Sequence, residues 1–118
     1  MRKLTTEQID RLKAGATLDT LVAEEVMGHD ADPVDPKPAP HYSTDPELAE
    51  QVLARMNAVM PPNSRIDERQ TRLGWRMEFI DQRTAEILID VTAPTRAAAI
   101  GRLVLHFAQR HPEVRQNS

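Results

Sequence analysis

The stretch Leu73-Gly74-Trp75-Arg76-Met77-Glu78-Phe79-Ile80-Asp81, followed after a short break by Glu86-Ile87-Leu88-Ile89-Asp90-Val91-Thr92, decides the fold. Trp75, Met77 and Phe79 alternate with Arg76 and Glu78. Ile87, Ile89 and Val91 alternate with Leu88 and Asp90. Side chains with period two stand on opposite faces of a strand, so the stretch reads as a β-hairpin with Asp81 to Ala85 as its loop. Pairing Phe79 with Ile87 sets Met77 opposite Ile89, Trp75 opposite Val91 and Arg76 opposite Asp90. That register collects apolar pairs on one face and an opposed charge pair on the other. A lone hairpin is marginal in water, so helices must pack on it.

The helical signals lie on both sides of the hairpin. Thr5 and Gln8 have capping-box spacing, which predicts a first helix over Thr6–Ala14 ending at Gly15. Leu18, Leu21, Val22, Val26 and Met27 share one face of a second helix, read as Leu18–Met27 with Thr17 as cap and Gly28 as stop. Asp19 lies in its first turn, where negative charge suits the helix dipole. Asp45 before Pro46, with Glu47 and Glu50 following, is the clearest helix start. Leu48, Val52, Met56 and Val59 make that helix's buried stripe, and Pro61-Pro62 ends it. A last helix is predicted from Pro94, with Thr92 or Ala93 near the cap. It carries Ala97, Ile100, Val104 and Phe107 as core, and Pro112 closes it. Gly101 costs about 1 kcal/mol against alanine inside a helix, which points to a close backbone approach there.

Two segments read differently. His29 to Pro40 places Pro33, Pro36, Pro38 and Pro40 among Asp30, Asp32 and Asp35. Fixed proline dihedrals and like charges make it an extended linker. Arg65 to Arg72 has Ile66 as its one large apolar residue and reads as a polar edge strand or a loop. The expected fold class is α+β. A small antiparallel sheet of two or three strands carries helices in an α-β-α sandwich, with order α-α-linker-α-β-β-β-α. The chain is read as one domain over 1–118: an N-terminal helical hairpin (1–28), the linker (29–40), an α-β-β-β-α core (41–112) and a loose tail (113–118). The third and last helices are expected on the apolar sheet face. Ile80 and Leu88 make the other face partly apolar, and the N-terminal pair is the candidate to cover it.

Composition narrows the function classes. A chain of 118 residues can bury roughly 65% of its unfolded surface as one domain. It has no cysteine, which excludes disulfides, thiol nucleophiles and Cys-ligated zinc. The start Met1-Arg2-Lys3-Leu4 runs into polar Thr5-Thr6-Glu7-Gln8, and no stretch has transmembrane length. The expected compartment is the host cytoplasm, with no membrane partner. Residues 1–60 carry six Lys/Arg against eleven Asp/Glu, and residues 61–118 nine Arg against seven Asp/Glu. That balance is not the clustered basic charge of a nucleic-acid binder.

Three blocks resemble the phage α-β-α (ABA) sandwich domain family of small phage and prophage proteins. They are Leu18-Asp19-Thr20-Leu21-Val22-Ala23-Glu24-Glu25-Val26-Met27-Gly28, then Tyr42-Ser43-Thr44-Asp45, then Thr92-Ala93-Pro94. His29 stands where the family has an aromatic residue, and the linker is unusually rich in proline. The resemblance implies α-β-α layering and a phage origin, and it implies no activity and no catalytic residues.

Candidate sites are few. His29, Asp30, Asp32, Asp35 and His41 sit on a proline-rich segment that offers no second shell to fix a metal. His106 and His111, five apart, do not share a helix face and read as exposed side chains near a helix C-terminus. Glu24-Glu25 and Asp67-Glu68 are adjacent pairs that diverge. No nucleophile elbow, phosphate loop or His-Glu metal motif is present. No enzyme, cofactor or metal is therefore expected. Arg96, Arg102, His106 and Arg110 lie along one side of the last helix, and Arg76 comes from the hairpin. Arg76, Arg96, Arg102 and Arg110 form a candidate nucleic-acid face, since guanidinium forks suit phosphate. The order helix, three strands, helix from residue 45 matches that of a double-stranded-RNA-binding domain, without its lysine cluster. The leading expectation is an accessory protein that works through contacts with a phage or host protein, with self-association open. Binding of duplex RNA or DNA is second, and a small enzyme or metal protein third.

Overall fold

The computed structural model describes residues 4–29, 34 and 38–116. The fold is α+β, with a three-stranded antiparallel sheet and helices packed on it, in the expected order. Helix α1 is Thr6–Asp10, and its Thr5–Gln8 capping box forms as expected. It stops four residues short of the expected end. Helix α2 is Ala16–Glu25. Its N-cap is Gly15 at φ 139°, not Thr17, because glycine alone enters that backbone region freely. Helix α3 is Pro46–Val59, with Asp45 Oδ1 accepting from the N–H of Glu47 at 2.9 Å. Of the linker, Asp30, Asp32, Pro33, Asp35 and Pro36 lie outside the described residues.

Strands β1 (Ser64–Thr71), β2 (Gly74–Asp81) and β3 (Glu86–Ala93) form a meander in that order. Arg65 to Arg72 is thus mostly a true edge strand, paired residue for residue with β2 from Ser64–Asp81 to Thr71–Gly74. The hairpin differs from its expected register. Phe79 faces Ile89, Met77 faces Val91 and Trp75 faces Ala93, a shift of two residues. A shift of two keeps each side chain on its face, so the apolar pairing survives. The slack is taken up by an irregularity at Phe79/Ile80, beyond which Ile80 pairs with Ile87. An inserted residue reverses face parity. Ile87, expected in the core, therefore stands 46% exposed on the opposite face, while Leu88 packs against the core.

Helix α4 (Arg96–Arg110) is the spine of the molecule. Thr95 caps it through Ala98 N–H at 3.2 Å, two residues later than the expected start. From Ala97 to Ala108 every residue but Arg102 is buried. A helix buried all round is enclosed by other elements, and here it packs on β2, β3, α2, α3 and α1. Phe107 meets Phe79 edge to face at 5.5 Å. Gly101 lets α2 in, since a Cβ there would lie 3.4 Å from Leu18 Cδ2. The close backbone approach expected at Gly101 is not found; the Leu18 side chain is what comes near.

The N-terminal pair docks on α4, not on the sheet's second face. Asp10 Oδ1 pins α1 to His106 Nε2 at 2.8 Å. The tail also departs from expectation. Helix α5 (Glu113–Gln116) buries Val114 fully and packs on α3, so residues 113–116 belong to the core unit.

Candidate functional site

With α4 on one face of the sheet and α1 and α2 behind it, the second face is the surface left open. Its β2 residues are Arg76, Glu78 and Ile80. Strand β1 contributes Arg65, Asp67 and Arg69 opposite them, and β3 contributes Ile87 and Asp90. Directly opposite residues on this face carry like charge, Asp67 with Glu78, Arg69 with Arg76 and Glu78 with Asp90. Arg76 faces Thr92 and not Asp90 as expected, and the ion pairs between strands run diagonally. Glu78 is 4% exposed at the centre of the middle strand. Arg69 donates to it at 2.7 Å, and Arg76 lies 3.9 Å from its other oxygen. Arg76 also grips Asp90 with two bonds, Nε–Oδ1 at 3.0 Å and Nη2–Oδ2 at 2.7 Å. These bonds hold the guanidinium pKa above its ordinary value, the hydrogen bond to Asp90 being the main cause. Arg65 pairs with Asp67 at 3.1 Å. At one end the charges give way to apolar surface, with Ile80 beneath and Ile87 exposed. Leu73, at the β1–β2 turn, is 84% exposed.

The four arginines of the candidate nucleic-acid face do not gather. Arg76 is on the open face, and α4 lies across the other one. Arg96 clamps Glu68 of β1 through Nε at 2.7 Å and Nη2 at 3.1 Å, and it also bonds Glu50 of α3. The bond to Glu68 is the largest cause of a guanidinium pKa raised above its ordinary value. Arg102 donates to the carbonyls of Leu12 at 2.7 Å and Thr92 at 2.5 Å. Arg110 donates to the Leu88 carbonyl at 3.0 Å. Each guanidinium is directed at a carboxylate or carbonyl of the chain itself. A phosphate would have to compete with those partners.

His106, expected to be exposed, is buried against Asp10. His111 stacks on Phe107 at 4.3 Å. Sequence reasoning misses a polar cluster between α2 and the start of α3. Asp19 is 3% exposed and accepts from Ser43 twice, from its N–H at 2.7 Å and its hydroxyl at 2.6 Å. Ser43 Oγ in turn accepts from Gly15 N–H at 2.9 Å. His41 Nδ1 lies 3.8 Å from the second Asp19 oxygen and is exposed. Serine, histidine and aspartate are all present, but the geometry is not catalytic. The serine is wholly buried and bonds the carboxylate directly, so no imidazole stands ready to take its proton. The local signal is Asp19 itself, whose place in the first turn of a helix is explained equally well by the dipole.

Asp67 and Glu68 point to opposite faces of β1, one to Arg65 and the other to Arg96. No group of three or more His, Asp or Glu residues able to hold a metal occurs among the described residues. Asp30, Asp32 and Asp35 of the linker lie outside them. A groove of about 370 Å³ runs between Pro61, Pro62, Phe79, Leu88 and His111. No helix among the described residues is long and apolar enough to cross a membrane. No family model, curated protein or solved structure matches the chain.

Proposed function

We propose that this chain is a non-enzymatic accessory protein of a phage or prophage, acting in the host cytoplasm through protein contacts on the open face of its sheet. The observation that carries the reading is that face. It holds Ile87 and the ion pairs Arg69–Glu78 and Arg76–Asp90 with no helix packed over them among the described residues. Balanced charge beside exposed apolar surface suits a protein partner, since interfaces join an apolar centre to a polar rim. The phage assignment rests on the resemblance of Leu18–Gly28, Tyr42–Asp45 and Thr92–Pro94 to the ABA sandwich family. Neighbouring reading frames for head, tail, early or lysis proteins would support it, and a setting among metabolic genes would oppose it.

Binding of duplex RNA or DNA through Arg76, Arg96, Arg102 and Arg110 is the weaker reading, because those groups are directed at internal partners. Anisotropy titration with labelled duplex at low salt separates the two, since phosphate contacts are strongest there. No binding is expected. Binding whose logarithm falls linearly with the logarithm of salt concentration would reverse the preference.

A further inference from the structure

The ends of the sheet carry two features that the ion pairs of its face do not use. At one end, Arg72 and Leu73 are the two turn residues between β1 and β2, since Thr71 pairs with Gly74. Tight hairpin turns favour glycine, asparagine and aspartate, so the turn itself does not call for leucine. Leu73 is nonetheless 84% exposed, more than any other large apolar residue described except Val34. It is also held firmly. Thr71 Oγ1 accepts from the Leu73 N–H at 3.2 Å and donates to the Gly74 carbonyl at 3.3 Å. Gly74 lies so close to β3 that a Cβ there would strike the Ala93 carbonyl oxygen. A rigid apolar knob suits docking, because little freedom is lost when it is buried. At the other end lies the groove of about 370 Å³. Pro61, Pro62, Phe79 and Leu88 give it apolar walls, and Asp81 and Arg83 line it too. A leucine side chain fits, since a cavity of about 150 Å³ admits benzene. Strands of eight residues set the two ends about 24 Å apart. One chain therefore cannot dock its own Leu73 into its own groove.

We propose that Leu73 of one copy of this chain enters the groove beside Phe79 of the next, so that the protein self-associates head to tail. Charge favours this occupant. Among the described residues the Arg72 guanidinium has no partner, and it travels with Leu73. Asp81 at the groove accepts the Arg83 N–H through Oδ1 at 2.9 Å, which leaves Oδ2 to receive Arg72. Arg83 itself is exposed and can turn to solvent. The contact joins unlike surfaces, so it does not close as a dimer but repeats into a ring or an open chain. It uses the ends of the sheet, so it stands whether or not the open face binds a foreign protein.

The test is sedimentation across a concentration series, with thermal melts to show that each variant is folded. The wild-type mass should rise above the 13.3 kDa of one chain and past twice that value, with no plateau at the dimer. Leu73→Asp removes the knob and leaves the groove intact. It should weaken association more than ~10-fold, the equivalent of one buried leucine side chain. Pro62→Trp fills the groove from its exposed wall and keeps the knob, and it should weaken association as much. At a concentration where each variant alone is monomeric, the mixture should form a one-to-one dimer and nothing larger, since one usable knob and one usable groove remain between them. If Pro62→Trp fails to fold, Asp81→Arg is used instead, because it sets like charge against Arg72. A wild type that keeps its monomer mass throughout overturns the proposal and leaves both ends to a foreign partner. So does a wild type that stops at the dimer, or a Leu73→Asp variant that associates as wild type does. A mixture that stays monomeric also overturns it, since the two Leu73 turns would then meet each other and not the groove.

Discussion

The carboxylate of Asp19 on α2 accepts both the N–H and the hydroxyl of Ser43, 28 residues from Gly15, whose N–H the same hydroxyl accepts. This cluster joins the start of α2 to the turn before α3 across the linker. Because Asp19 is buried, each donor it loses leaves desolvated charge without compensation. Ser43→Ala should therefore cost about 1–3 kcal/mol. For a domain of this size that is a fall in Tm of roughly 5 °C per kcal/mol. A melt within about 1 °C of wild type would show that the cluster does not stabilise the fold.

Gly101 and Leu18 make a second long-range contact with a definite sign. A Cβ at Gly101 would sit 3.4 Å from Leu18, at the border of ordinary contact, so Gly101→Ala should be tolerated. Its gain in helix propensity, about 1 kcal/mol, offsets the mild crowding. Gly101→Leu overfills the same space and should cost about 1–3 kcal/mol. Adding Leu18→Ala to Gly101→Leu should recover part of that loss in denaturant melts. Simple addition of the two single losses would mean that the side chains do not meet.

These contacts mark the boundary of what is legible in the sequence. Local chemistry is readable where it acts over a few residues: the Thr5–Gln8 box, the Asp45-Pro46 helix start and the hairpin itself. The register differs by two because the irregularity at Phe79/Ile80 leaves no mark in the alternation of Ile87, Ile89 and Val91. That same irregularity moves Ile87 from the core to the open face. His106 and Val114 depart from expectation because their partners, Asp10 on α1 and the core beside α3, are distant in sequence. The candidate arginines are legible as charges, whereas their internal partners, such as Glu50 and Glu68 for Arg96, depend on the tertiary fold.

Arg96 holds β1 and α3 together, and its bidentate bond to Glu68 is the part that geometry favours. Both side chains are partly exposed, so solvent screening limits the pair to about 1 kcal/mol. A double-mutant cycle with Arg96→Met and Glu68→Gln should return a coupling of that order. Zero coupling would mean that the clamp contributes nothing to stability.

Tyr42 is the single tyrosine, and burial raises its phenol pKa against the opposing effect of the Arg55 charge. The folded state then holds the phenolic proton more tightly than the unfolded state. Its stabilisation is complete below the unfolded value of about 10 and is lost as pH rises through the higher folded value. Phenolate absorbance should titrate later in the native protein than after denaturation. Tyr42→Phe should remove this component of the alkaline loss of stability. A native titration at or below the ordinary value would contradict the assignment.

The most direct test of the functional account is positional photo-crosslinking in cells that express the protein. A photoreactive residue at Ile87, on the open sheet face, should yield a discrete protein adduct. The same residue at exposed Lys13, in the connection between α1 and α2, should yield none. Equal adducts at the two positions, or adducts to nucleic acid alone, would contradict a protein-binding role for that face.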